Sequence, residues 1–231
     1  MRILSLNIWH GFQKEQLRDF LLSEVEITDI FCFQEAVGSG AEEVIAGIFD
    51  DNRFQAVVAE KFIEENKHYY LMTIVKKPLA ISHSYGLLAD DDTETGKALA
   101  VEVATNDGDT LTIVNIHGMP HPGHKLDTEG RLRQSQQIID ALSGSKTIVC
   151  GDFNLLPETE SVKMFSRAGY RNLVAEYAIP TTRNELAWAP WPDNKQLFAD
   201  YSFVSPDINI THFAVPHTEA SDHLPMMIDI T

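Results

Sequence analysis

Cysteine is nearly absent from this chain of 231 residues. Only Cys32 and Cys150 occur, and each lies inside an apolar run. Thiols placed this way pack as small hydrophobes. They give no disulfide framework, and they fit a reducing compartment. No run of 18 apolar residues occurs, so no membrane-spanning helix is expected. The first residues enter an apolar strand directly and hold no secretory apolar region, so the protein is expected in the cytoplasm. Positive charge is also scarce: 18 Lys and Arg stand against 34 Asp and Glu, for a formal net charge of -16. That balance weighs against tight binding to bare duplex, which relies on neutralising phosphates. It leaves nucleic acid open as a substrate, because a local basic rim or a bound cation offsets the global field. There is no linker, no repeat and no low-complexity tract, and the length suits one domain over residues 1–231, expected to act as a monomer.

Apolar residues are plentiful, at 44% of the chain, enough for a sizeable core. Residues 3–6 read as a strand ending on Asn7. Residues 13–22 carry Leu17, Phe20 and Leu21 at helical spacing. Residues 29–33 form a second buried strand that runs into Gln34 and Glu35. Strand, helix and strand in so short a span predict a right-handed parallel crossover. Asn7 and Glu35 would then emerge side by side at one sheet edge. A second helix is expected over 41–49. Residues 54–59, 69–75, 79–85, 98–104 and 110–116 are strand-like and antiparallel in character. A hairpin connection is expected at 106–109, and an acidic solvated loop at 90–94. The last of these strands ends on His117.

Residues 119–126 are irregular and carry His121 and His124. A helix follows over 129–142. Residues 148–150 then read as the end of a buried strand. Gly151 permits a sharp turn, and Asp152 and Asn154 emerge beside it. A short helix is expected over 158–167. Residues 178–196 read as a loop containing Trp188 and Trp191. Residues 197–204 form a strand holding Asp200, 208–215 another, and Asp222 and His223 lead into the last at 224–230. With no Cys or HExxH helix nearby, a zinc site on His117, His121 and His124 is a weak reading.

Six short motifs stand at strand boundaries: Leu6-Asn7, Phe33-Gln34-Glu35, Asn115-Ile116-His117, Gly151-Asp152-Phe153-Asn154, Asp200-Tyr201-Ser202-Phe203 and Ser221-Asp222-His223. Together and in this order they resemble the endonuclease/exonuclease/phosphatase superfamily of metal-dependent phosphoesterases. The resemblance implies a DNase I-like, four-layer α/β/β/α sandwich of two mixed sheets with helices outside. It implies Glu35 as the principal ligand of Mg²⁺ or Mn²⁺, with Asn7 and Asp222 near the metal. Asp152 would activate the attacking water, Asn154 and His117 would hold the phosphate, and His223, oriented by Asp200, would stabilise the transition state. Arg131 resembles the family's site-supporting arginine. Trp188 and Trp191 would rim the cleft and stack on a base or cover an apolar group. The expected activity is hydrolysis of a phosphoester, in particular a diester, of a nucleic acid or a small or lipid molecule. A non-catalytic phosphate-binding module on the same fold is the alternative.

Overall fold

The computed structural model describes residues 1–63, 67–88, 96–105, 108–142 and 146–231. The expected loop at 90–94 and positions 106 and 107 of the expected hairpin turn lie outside the described residues. In chain order the strands are β1 (Arg2–Asn7), β2 (Ile30–Gln34), β3 (Phe54–Ile63), β4 (Lys67–Lys76), β5 (Ala80–Gly86), β6 (Lys97–Ala104), β7 (Thr110–His117), β8 (Lys146–Asp152), β9 (Arg171–Asn172), β10 (Asp200–Val204), β11 (Ile210–Ala214) and β12 (Met226–Ile230). The helices are α1 (Lys14–Glu24), α2 (Ser39–Ile48), α3 (Glu129–Ala141), α4 (Glu160–Arg167), α5 (Leu173–Glu176) and α6 (Glu185–Trp188).

One sheet runs β11-β12-β1-β2-β4-β3 and the other β5-β6-β7-β8-β10-β9. Both are mixed: β1 pairs parallel with β2, and β7 with β8, while their other neighbours are antiparallel. The sheets pack face to face. Ile3, Ile30 and Ile228 of one meet Val101, Ile113 and Ile148 of the other in a shared core. Leu17 and Leu21 of α1, with Ala41, Val44 and Ile45 of α2, cover the outer face of the first sheet against Leu4, Leu6, Phe31 and Phe33. Ile138 of α3 and Val162 and Phe165 of α4 join the core from beyond the second sheet. Central strands covered on both faces need apolar residues at every position, which is why β2 and β8 read as runs rather than alternations.

The parallel crossover forms as the pattern predicts, with Asn7 beside Gln34 in register. Four expectations change. Gly151 is not a turn residue, because β8 continues through it to Asp152. Its φ of +138° and its closeness to the neighbouring strand are what require glycine, since a Cβ there would lie 2.2 Å from the Ile116 carbonyl oxygen. The strand expected at 197–204 starts only at Asp200, because the Ala199 and Asp200 amides donate to Thr182 Oγ1 instead of to β8. The strand expected at 224–230 starts at Met226, after Pro225, which has no amide to give a ladder. The loop expected at 178–196 contains the single turn α6.

Candidate active site

Strand register alone brings three of the candidate residues into one row. His117 pairs with Asp152 across β7 and β8, and Asp152 pairs with Asp200 across β8 and β10. The first sheet meets this row at its own strand ends. The Asn7 side-chain amide donates to Glu35 Oε1 at 3.1 Å and to Asp152 Oδ2 at 3.0 Å, so it ties the two sheets together. Below, Gln34 Nε2 donates to Asn115 Oδ1 at 2.7 Å, and Asn115 Nδ2 donates to the Phe33 carbonyl at 3.1 Å. These buried bonds satisfy polar groups that would otherwise oppose packing the sheets.

Asp152 is the centre of the arrangement. His117 Nε2 lies 3.7 Å and His223 Nε2 3.8 Å from its Oδ2. The Asn154 backbone amide donates to Oδ1 at 2.8 Å. Burial alone would raise the Asp152 pKa, but the positive charges of His223, Lys125 and His117 and the Asn154 amide hold it well below the usual carboxylate range. His223 Nδ1 donates to both oxygens of Asp200, at 2.9 and 3.0 Å. Burial works against a charged imidazole here, yet Asp200, Asp222 and Asp152 outweigh it and lift the His223 pKa to about 9. His223 is therefore protonated at neutral pH, with its Nε2–H facing the cleft and its ring orientation set by Asp200. Burial raises the Asp200 pKa against the attraction of His223.

Glu35, Asp152, His117, His223, Asn154 and Asp222 all line one open cleft of about 890 Å³. Asp222 is tied to Arg183, whose Nη2 donates to its Oδ2 at 2.7 Å. Asn7 meets the carboxylates as a donor. Its side-chain oxygen accepts from the Trp9 amide at 3.0 Å and retains a second lone pair.

Three expected substrate residues are elsewhere. Arg131 does not line the cleft. It is buried, and its guanidinium donates to the carbonyls of Leu126, Met119 and Pro122 at 2.5, 3.0 and 2.8 Å. Trp188 and Trp191 do not line the cleft either, and Trp191 is 69% exposed. His121 and His124 are exposed and join neither metal-capable cluster among the described residues, which removes the basis for the zinc reading.

Among the further residues lining the cleft that the strand-end pattern did not reveal are Trp9, His10, Phe12, Lys125 and Arg183. His10 Nε2 is 3.0 Å from Glu35 Oε2. Burial raises the Glu35 pKa, but the hydrogen bond from His10 and the charge of His117 bring it below its ordinary value. Arg183 arrives because residues 182–184 run beside 222–224, through the bridge Arg183–His223 and the Leu224 amide bonded to the Thr182 carbonyl. Among the described residues, the non-glycine positions with positive φ are Trp9, His10, Glu35, Lys125, Asn154 and Ala178. All but Ala178 line the cleft. Backbone strain of this kind, on the order of 1–3 kcal/mol each, persists where surrounding structure imposes it.

The donor set suits a hard divalent cation. Glu35, Asp152 and His117 each present a ligand atom, and these atoms lie within 4.8 Å of one another. Two carboxylates with one imidazole could together hold a divalent cation.

Solved structures share this architecture. An endonuclease/exonuclease/phosphatase from Bacteroides vulgatus superposes with a TM-score of 0.78 at 18% identity, covering 100% of this chain and 98% of that one. The human Nocturnin catalytic domain, solved with a bound sulfate anion, gives 0.74 at 19% identity and covers 100% and 93%. D. rerio TDP2 complexed with a single-strand DNA product gives 0.69 at 14% identity and covers 100% and 98%. At these identities the likeness concerns the fold. No curated protein sequence matches the chain. Residues 4–223, from the first buried strand to the cleft histidine His223, match a single family. The chain belongs to the Endonuclease/Exonuclease/phosphatase family.

Proposed function

We propose that the protein is a divalent-metal-dependent hydrolase of phosphodiesters, acting as one domain on a single-stranded or small substrate. The observation that carries this reading is the position of Asp152 between Glu35, which Asn7 links to it, and the charged pair His223–Asp200. Glu35 and Asp152, with His117, would hold Mg²⁺ or Mn²⁺, which supplies charge compensation to the phosphoryl oxygens when bound. Asp152, ionised throughout the neutral range, orients the attacking water and accepts its proton. His223 donates from Nε2 to a non-bridging oxygen as charge develops there, and Asp200 keeps the imidazole in that orientation. Asn154 holds the phosphate, with His117 left to the cation, and Asp222, anchored by Arg183, flanks His223.

The rim supports the choice of substrate. Trp9 and Phe12 line the cleft, with Phe12 66% exposed, and their rings meet edge to face at 5.2 Å. Exposed rings beside a phosphate site suit a planar group attached to the phosphate, such as an unpaired base. Lys14, Lys125 and Arg183 also line the cleft, so its charge differs from that of a chain with net -16. The free, buried thiols Cys32 and Cys150 support a reducing compartment, the cytoplasm. No helix among the described residues is long and apolar enough to cross a membrane.

The test is an activity panel of abasic-site duplex, single-stranded DNA and RNA, phosphoinositides and sphingomyelin, with Mg²⁺, with Mn²⁺ and after EDTA. The expected result is metal-dependent cleavage that is fastest on single strands or small diesters and is lost in Asp152→Asn and His223→Ala. Full activity in EDTA, or wild-type rates in both variants, would falsify the assignment.

A further inference from the structure

Lys125 is the one buried lysine among the described residues. Its Nζ donates to Asn154 Oδ1 at 2.6 Å, and it lines the cleft. No strand brings it there. It sits on the irregular segment between β7 and α3, in a left-handed conformation with φ +57°. A buried ammonium needs a reason to stay buried, because removing it from water is costly.

The segment is built to hold it. Arg131, near the start of α3, binds the carbonyls of Met119, Pro122 and Leu126, on either side of Lys125. The Lys125 carbonyl accepts from the Leu156 amide at 2.9 Å, just beyond Asn154. Asp127 accepts from the amides of Glu160 and Ser161 at the start of α4. Gln196 Nε2 donates to the Gly123 carbonyl at 2.8 Å. A buried arginine whose contacts are three carbonyls of one segment acts to shape that segment. Its product is the placement of Lys125.

We propose that Lys125 is a positioning residue that sets the orientation of the Asn154 side-chain amide, and that it acts on the hydrolytic step through Asn154. The kinetic part rests on the phosphoesterase reading; the orientation does not. The two ends of an asparagine amide have nearly the same shape, so the choice between them falls to hydrogen bonds. An ammonium can only donate, so Lys125 selects Oδ1. Nδ2 then faces two acceptors, Asp152 Oδ2 at 3.3 Å and the Gly118 carbonyl at 3.4 Å. In the reverse orientation Oδ1 would face the Asp152 carboxylate with nothing to offer it. Without Lys125 only the longer contacts of Nδ2, at 3.3 and 3.4 Å, hold that orientation, and the amide is less firmly fixed.

Lys125→Met keeps the aliphatic stem and removes the donor. Paired with Asn154→Ala and the double variant, it forms a cycle that separates action through Asn154 from action on its own. The expected result is a kcat about 30-fold lower in Lys125→Met, with KM within about 3-fold, and less than about 3-fold further loss when Lys125→Met is added to Asn154→Ala. Equal losses in both backgrounds overturn the proposal. A second readout uses metal-free protein and no substrate. The Asn154 Nδ2 protons, assigned by their absence in Asn154→Ala, are expected to exchange with solvent about 10-fold faster in Lys125→Met. Unchanged exchange overturns the proposal whatever the enzyme hydrolyses. If wild type cleaves none of the panel, the phosphoesterase reading fails alone and the amide measurement still decides. Lys125→Leu, which also has no donor, serves for both readouts if the methionine variant does not fold.

Discussion

The two sides of the cleft are held in place by different means. On one side His117, Asp152 and Asp200 leave three paired strands in one row, and the ladder that pairs the strands also spaces the side chains. On the other side Trp9, His10 and Glu35 lie past the ends of their strands in left-handed backbone. That side is held by wedging. A Cβ on Gly11 would lie 2.3 Å from the Ala41 amide nitrogen, and one on Gly40 would lie 2.5 Å from the Gly11 carbonyl oxygen. The lesson is a division of labour. Asp152, proposed to activate water, sits where strand pairing fixes distances, whereas Glu35 and the rings of Trp9 and Phe12 reach the cleft from packed loops.

The largest effect should come from breaking the strand side at its centre. Asp152→Asn is expected to lower kcat by about 10³ to 10⁴, the upper part of the range for a lost general base. A loss below about 10-fold, measured at saturating metal, would place the water-activating group elsewhere. Next, His223→Gln should cost about 10² to 10³ in kcat. Asp200→Asn, one bond further from the substrate, should cost about 10 to 100. Should Asp200→Asn prove the more damaging of the two, the imidazole is not the group Asp200 serves.

The same pair gives a pH dependence of stability. His223 has its folded pKa raised to about 9. Its contribution is therefore fully present below the unfolded value of about 6.5 and is lost as pH rises through 9, a change on the order of 3 kcal/mol. Denaturant midpoints of metal-free protein from pH 6 to 10 should fall along this course in wild type and flatten in His223→Gln. Parallel curves for the two proteins count against a charged His223.

Breaking the loop side should do less to the chemistry and more to binding. Gly11→Ala has neither the backbone freedom nor the space it needs, with φ +69°. It should weaken Mn²⁺ binding by about 10-fold or more in calorimetry, through displacement of the support around Glu35. Unchanged affinity would mean that the wedge does not hold the metal side. Smallest of all, Trp9→Ala or Phe12→Ala should raise KM for a base-bearing diester by about 5- to 10-fold, and leave a simple alkyl diester unaffected. Equal shifts on both substrates argue against stacking.

The legible part of the site shares one local signature. Asn7, Glu35, His117, Asp152 and Asp222–His223 each follow or precede a short apolar run, so each could be found without knowing what the run packs against. Asp200 was found as a charge within such a run, although the strand proves to begin on it. Arg131 was visible too, but its role depended on the carbonyls around it, and these belong to an irregular segment. Trp188 and Trp191 lie in an aperiodic stretch whose seating no local pattern sets, and the rings at the cleft are instead Trp9 and Phe12. Lys125 and Arg183 carry no pattern at all. Each sits in a stretch without periodicity, and each is aimed by contacts with segments distant in the chain.

By itself the sequence determined the order of the main strands and helices and the residues that punctuate them. These follow from burial and backbone preference, which act over a few neighbouring residues. Only the tertiary structure decided that Asn7 would reach Asp152 across 145 positions, that Arg183 would hold Asp222, and that a buried lysine would face Asn154. Register between strands and the seating of loops depend on which distant surfaces fit together, and no short stretch of chain contains that information.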